Sequence, residues 1–196
     1  MNFETASEAV DEMTRVAQER LADVPGTKEV QQNLLQKAQV FYQGFLEENR
    51  GDPAVCEEVG RAYRRLGEIH HELAHQFEQA EQVYRNAIAV FEELAGDYPD
   101  VVEYREEIVL SQHGLINPLK SLSRQHEAEQ ICRQALIIAE KLAADSPDVG
   151  NYRQDLSQTH FRLGLLLYHA NQREEAEQTF RQSEELFEKL AAGFCS

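Results

Sequence analysis

The sequence predicts an all-α protein, a short array of antiparallel helical hairpins, and three observations carry that prediction. First, the segments Phe77 to Asp100, Gln125 to Asp148 and Arg173 to Ser196 repeat one another at a spacing of 48 residues. Ala80, Ala128 and Ala176 fall in register, as do Tyr84, Cys132 and Phe180, then Ala87, Ala135 and Ser183, then Leu94, Leu142 and Leu190. A period in this range marks stacked supersecondary units, each unable to bury its apolar face alone. Second, within each unit apolar residues return every three or four positions, as a buried helical stripe requires. Third, the chain is rich in Ala, Glu, Gln, Leu and Arg, with 5 Pro and no Trp, and is 42% hydrophobic and 28% charged. That composition predicts a soluble, mainly helical protein.

Taken in order, residues 1–50 read as an N-terminal helical hairpin. Phe3, Val10, Met13, Ala17 and Leu21 mark one face up to the break at Pro25-Gly26, and Leu34, Leu35, Ala38, Phe41, Tyr42, Phe45 and Leu46 mark the next helix. A stacked array exposes the apolar flank of its end unit, and this pair predicts a cap over it. Three units follow, 51–98, 99–146 and 147–196. Their leading helices run from about Ala54 to Ala74, Val101 to Leu122 and Val149 to Ala170. Links as short as His75-Gln76, Ser123-Arg124-Gln125 and Asn171-Gln172-Arg173 force each leading helix antiparallel to its partner. In the first unit Gly67 to Ala80 is one residue longer than Gly164 to Ala176, which places an insertion in its turn.

Between units stand Asp97-Tyr98-Pro99-Asp100 and Asp145-Ser146-Pro147-Asp148. Proline there disfavours helix in the residue before it, and the Asp after it is placed to cap the next helix. Pro118 lies inside a leading helix. It deletes the amide that would bond to the Gly114 carbonyl, at roughly 3 kcal/mol in a regular helix, and predicts a kink or an early end. No capping helix follows Phe194-Cys195-Ser196, so the outer face of the last helix is polar in itself or covered by a partner or further sequence. Glu174, Glu175, Glu185 and Glu188 supply part of that polarity.

Several functions are disfavoured by the same residues. A formal charge of −16 repels nucleic acid and anionic lipid. No apolar run approaches the roughly 20 residues that span a bilayer, and the N-terminus lacks the layout of a secretion signal. Cys56, Cys132 and Cys195 are scattered and odd in number, which argues against a disulfide framework and for a reducing compartment such as the cytoplasm. His71-Glu72-Leu73-Ala74-His75 spells the zinc-binding HExxH pattern, with two His at i and i+4 and Glu72 as a general base. It sits at the end of a repeat helix without a third ligand in view, so a zinc hydrolase is the least favoured reading and no cofactor is expected. No GxSxG elbow or phosphate-cradling glycine loop occurs.

The unit pattern resembles the tetratricopeptide repeats. The third unit supplies His160, Leu163-Gly164, Leu167, Ala176, Phe180 and Ser183, and the first supplies Tyr63, Leu66-Gly67, His70, Ala80, Tyr84 and Ala87. The middle unit departs from it at Leu115-Ile116. The resemblance implies a superhelix of helical hairpins whose first helices line a concave groove. The runs ERLADVPG, FYQGFLEENRGDPAV and AYRRLGEIHHEL, with the LAxDxPDVxxYR joints, are further similar to the tetratricopeptide region beyond the kinase domain of planctomycete Ser/Thr protein kinases. That likeness implies a docking part of a larger protein, although the chain carries no kinase motif of its own.

By the family's offsets, groove-lining positions include Arg61, Arg64, Arg65, His113, Asn117, Lys120, Phe161, Arg162, Leu165 and Tyr168. With Glu68 and Glu72 also on this stripe it stays net basic, in a chain that is strongly acidic. Arginine grips a carboxylate in a bidentate fork, and Phe161, Leu165 and Tyr168 offer an apolar seat beside it. The expected function is a non-enzymatic scaffold docking an acidic protein segment. The competing reading of the arginines is that they pair with neighbouring glutamates and hold the stack. The alternative function is self-association, a homodimer through the last repeat or the first helix.

Overall fold

In the computed structural model residues 28–49, 51–72 and 76–193 are described. Among them are seven α-helices and no strand, so the chain is all-α. The expected helix before Pro25-Gly26 and the Phe194-Cys195-Ser196 end lie outside the described residues. The chain divides into two units, Met1–Leu94 and Ala95–Ser196.

The first unit holds α1 (Lys28–Glu48), α2 (Pro53–Glu72) and most of α3 (Phe77–Asp97). On α1 the residues Leu35, Ala38 and Tyr42 are buried, at the spacing of one helical face. Tyr42 meets Tyr63 of α2 edge-on with ring centroids 6.4 Å apart, a favoured geometry because a ring's positive edge meets its neighbour's negative face. Burial, with Glu47 nearby, pushes the Tyr63 phenol up to about 12. The turn to α2 is held at both ends. Asn49 Nδ2 donates to the Phe45 carbonyl at 2.9 Å, and Asp52 Oδ1 accepts from the Ala54 amide at 3.0 Å. Asp52 is thus the cap of α2, with Pro53 at the first helical position where its missing N–H costs nothing. Between α2 and α3 a Cβ on Gly67 would stand 2.7 Å from the Tyr84 ring. Only glycine admits that approach. The insertion expected in the turn after α2 falls on residues 73–75, which lie outside the described residues.

The second unit holds α4 (Glu103–Ser121), α5 (Gln125–Asp145), α6 (Gly150–His169) and α7 (Arg173–Gly193). Here α5 packs on α4, α6 on α5 and α7 on α6, and α4 also touches α6. The core is a cluster of Val109, Ala135, Ala139, Leu142, Tyr152 and Leu156, from three helices. Gly164 repeats the glycine and ring device, since a Cβ there would stand 2.6 Å from Phe180. The equivalent pair one repeat earlier is Ile116 and Cys132, both buried. The bulk has changed helix while the summed volume is roughly kept, the exchange a close-packed interior tolerates best.

Pro118 does not shorten its helix. α4 ends at Ser121, 48 residues before the end of α6 at His169. Proline fits because it sits in the last turn, where only one amide is forfeited, and its own carbonyl accepts from the Leu122 amide at 2.9 Å. Nor do Asp100 and Asp148 cap the following helices. The N-caps are Val102 and Val149, neither with a side-chain cap bond. Pro99 and Pro147 instead lie second in turns closed by Val101 N–H to Tyr98 O at 3.0 Å and Val149 N–H to Ser146 O at 3.1 Å. The helix begins too late for the Asp to reach its free amides.

The short turns after α4 and α6 are matching left-handed caps. Ser123 has φ 60° and Asn171 φ 62°. The Arg124 amide donates to Leu119 O at 2.8 Å and the Gln172 amide to Leu167 O at 2.9 Å, with the inner bonds Ser123 to Lys120 and Asn171 to Tyr168 also made. These are the paired bonds of a Schellman motif. Asparagine tolerates φ > 0 and serine does so poorly, so Ser123→Gly is expected to stabilise the chain by about 1 kcal/mol, with Asn171→Gly gaining less. Denaturant midpoints of the two variants measured beside the parent check this.

Candidate functional site

Three helices of the second unit meet at Thr159. Its hydroxyl donates to the Asp155 carbonyl one turn back, at 2.6 Å, which uses its single proton. His113 Nε2 on α4 lies 2.7 Å from the same oxygen, so the imidazole must be the donor, in its Nε2–H form. The Thr159 carbonyl in turn takes the Cys132 thiol of α5 at 3.6 Å. Burial, reinforced by the Arg162 charge, lowers His113 to about 3, and burial raises Cys132 to about 12. Both groups are therefore neutral at physiological pH, as a buried seam requires. Asp155, on the same helix, is raised to about 6, first by burial and then by Glu106.

One repeat further on, the same positions look different. Between α6 and α7 runs an open groove of about 690 Å³, lined by Ser157, Gln158, Phe161, Arg162, Leu165, Phe180, Ser183, Glu184 and Phe187. Its floor is sealed. Ser157 Oγ donates to Ser183 O at 2.9 Å and Ser183 Oγ returns a bond to Ser157 O at 2.8 Å, leaving no hydroxyl proton free. Phe161 and Phe180 meet with centroids 5.7 Å apart. Phe187 occupies the repeat position of Phe91 and Ala139, which are 0% exposed, yet is itself 67% exposed. Likewise Phe161, at 51%, stands where the middle unit has His113, at 5%. The middle unit's positions are covered because α6 lies on them, through Tyr152 and Leu156 against Ala139 and through Thr159 against His113 and Cys132. Among the described residues no helix lies on the α6–α7 groove. Its charges are one cation, Arg162, and one anion, Glu184, on opposite walls, and neither makes an ion pair among the described residues. Apolar rings, a sealed floor and two single charges suit recognition rather than bond-making.

The residues expected in a groove separate into several places. Phe161, Arg162 and Leu165 do come together, but in the groove between the two last helices. His113 is inside, bonded to Thr159. On α4, Asn117 is exposed and Lys120 half-buried. Tyr168 is exposed near the end of α6 with its ring edge-on to His169. In the first unit Arg61 pairs with Glu57 at 2.8 Å and Arg64 with Glu68 at 3.1 Å, both along α2, while Arg65 is exposed. Exposed pairs of this kind contribute about 0.3–0.5 kcal/mol each. His75 and the Glu72 side chain of the HExxH run lie outside the described residues, and the His71 ring stands 5.6 Å from that of Phe77. Among the described residues no three His, Cys, Asp or Glu converge as metal ligands. No described helix is long and apolar enough to cross a membrane. Phe187 and Glu184 stand outside the expected lining positions. The one signal for Phe187 was an aromatic in the repeat position that the middle unit fills with alanine.

No protein-family profile matches the chain, and no curated protein does. Solved structures are similar in fold. A filament of DHF58 superposes with a TM-score of 0.63 at 21% identity, over 96% of this chain and 97% of that one. The de novo designed helical repeat protein DHR64 superposes with a TM-score of 0.62, also at 21% identity and over the same shares. The chain is thus an all-helical repeat protein.

The raised carboxyl of Asp155 gives a pH signature. Its folded pKa, about 6, lies above the ordinary 3.8, so it favours folding fully below pH 3.8 and loses that contribution as pH rises through 6. At neutral pH the ionised group is a burden. Asp155→Asn is therefore expected to stabilise the protein by about 1–2 kcal/mol at pH 8, with the gain vanishing near pH 4. Paired thermal melts from pH 4 to 8 check the crossover.

Proposed function

We propose that this chain is a non-enzymatic protein-interaction scaffold and that it holds a protein segment in the groove between α6 and α7. One observation carries the reading: Phe187 is 67% exposed at a repeat position that is otherwise buried, beside Phe161 and Phe180 on the same groove. Covering a phenyl ring contributes roughly 1.5–3 kcal/mol, so the rings supply affinity. Arg162 supplies orientation by taking a carboxylate of the partner, which makes an acidic segment the preferred ligand. The sealed serine floor supports an apolar inward face on that segment. Helical repeat proteins commonly serve as scaffolds, and the likeness of the inter-repeat joints to kinase-linked repeats supports a docking role beside a Ser/Thr kinase. No cofactor enters this function, and the cysteine pattern supports a reducing compartment.

The test is a photo-crosslink. With benzoylphenylalanine at position 187, irradiation in cell extract is expected to yield a discrete protein adduct. Arg162→Glu should reduce that adduct about tenfold, the effect of trading an attraction for a repulsion at a rim charge. The absence of any adduct, or an adduct indifferent to Arg162→Glu, moves the binding site away from this groove.

A further inference from the structure

We infer that the occupant of this groove is a second copy of the chain, docked about a two-fold axis so that α7 of each copy lies over the α6–α7 groove of the other. The inference rests on the reading of the groove as a protein-binding site and names its partner.

The repeat itself shows what shape fits. One unit earlier, the positions equivalent to Phe161, Phe180 and Phe187 are His113, Cys132 and Ala139, and a single helix, α6, covers all three. The groove is the same seat with no described helix on it. Its lining is aromatic where the inner seat is small, so an incoming helix must bring its own ridge to the side of those rings rather than copy α6. α7 carries such a ridge. Phe187 projects from it at 67% exposure, and Glu184, three residues earlier, lies on the same face.

Charge decides for a second copy over other helices. Arg162 and Glu184 stand on opposite walls and pair with nothing among the described residues. A two-fold axis through the groove brings the Arg162 of each copy to the Glu184 of the other, satisfying four charges with two identical contacts. This is the self-complementarity that an isologous interface demands. Elsewhere two copies repel, since each carries a formal charge of −16. Within the groove one cation balances one anion, which offsets part of that repulsion where exposed Glu185 and Glu188 flank Phe187 on α7.

Sedimentation equilibrium of the full chain tests this. The wild type is expected to show a reversible monomer–dimer equilibrium from the 22.5 kDa monomer at micromolar concentrations. Phe187→Glu should leave only monomer. Arg162→Glu and Glu184→Arg should each weaken pairing at least about tenfold, because symmetry places each reversal in two contacts. Mixing the two single variants should restore a dimer near wild-type strength, since both cross-contacts are then attractive. The variants lie on the groove surface, and equal helicity and melting confirm that each is folded. A wild type that stays monomeric to about 100 µM, well above the micromolar range in which specific contacts act, overturns the inference. So does a dimer indifferent to Phe187→Glu, or a mixture that fails to pair. Glu184→Arg makes the chain less acidic; tighter pairing by that variant would assign association to bulk charge and also overturn it. If the wild type is monomeric while the crosslinker at 187 still captures a different protein, the two-fold pairing is wrong and the groove remains a protein-binding site.

Discussion

The structure depends on a close approach between the two helices of a hairpin. In the last hairpin the Phe180 ring occupies the space that a side chain on Gly164 would take, and Tyr84 does the same over Gly67. A ring against bare backbone brings the helices near enough to exclude water along their length, and dispersion contacts add up only at that separation. The middle hairpin reaches the same filling with Ile116 and Cys132. Because total volume is conserved and not residue type, the last two hairpins stack in register although their sequences have diverged.

Stacking of this kind has two consequences for polar groups. Where α6 covers α4 and α5, His113, Cys132 and Thr159 are joined in a chain of hydrogen bonds. Where no described hairpin follows, the equivalent positions hold Phe161, Phe180 and Phe187 in place of that polar seam. The change from polar seam to aromatic rim separates positions that a described helix covers from positions that none covers.

Much of this was legible in the residues. The 48-residue spacing and the glycine and ring pairs specify hairpins directly, because helix pairing is a local matter of small and large residues at facing positions. What was not legible depends on neighbours. Ala139 and Phe187 share one repeat position, yet Ala139 is buried and Phe187 exposed, because coverage belongs to the next helix and not to the residue. His113 was expected on an open lining, and its imidazole says nothing about the threonine 46 residues away that draws it inside. Asp100 and Asp148 have the right chemistry for caps, but the proline turns close first and delay the helix start. Asp52, with Pro53 directly at the first helical position, meets no such turn and does cap.

The thiol at the centre of the seam turns the fold into its own clock. With Cys132 pushed up to about 12 by burial, roughly one molecule in ten thousand carries a thiolate there at pH 8 in the closed state. Alkylating reagents can therefore reach it at a useful rate only when α5 and α6 part. The labelling rate of this one sulfur counts those partings, and its dependence on reagent concentration separates how often the hairpins open from how quickly they close again.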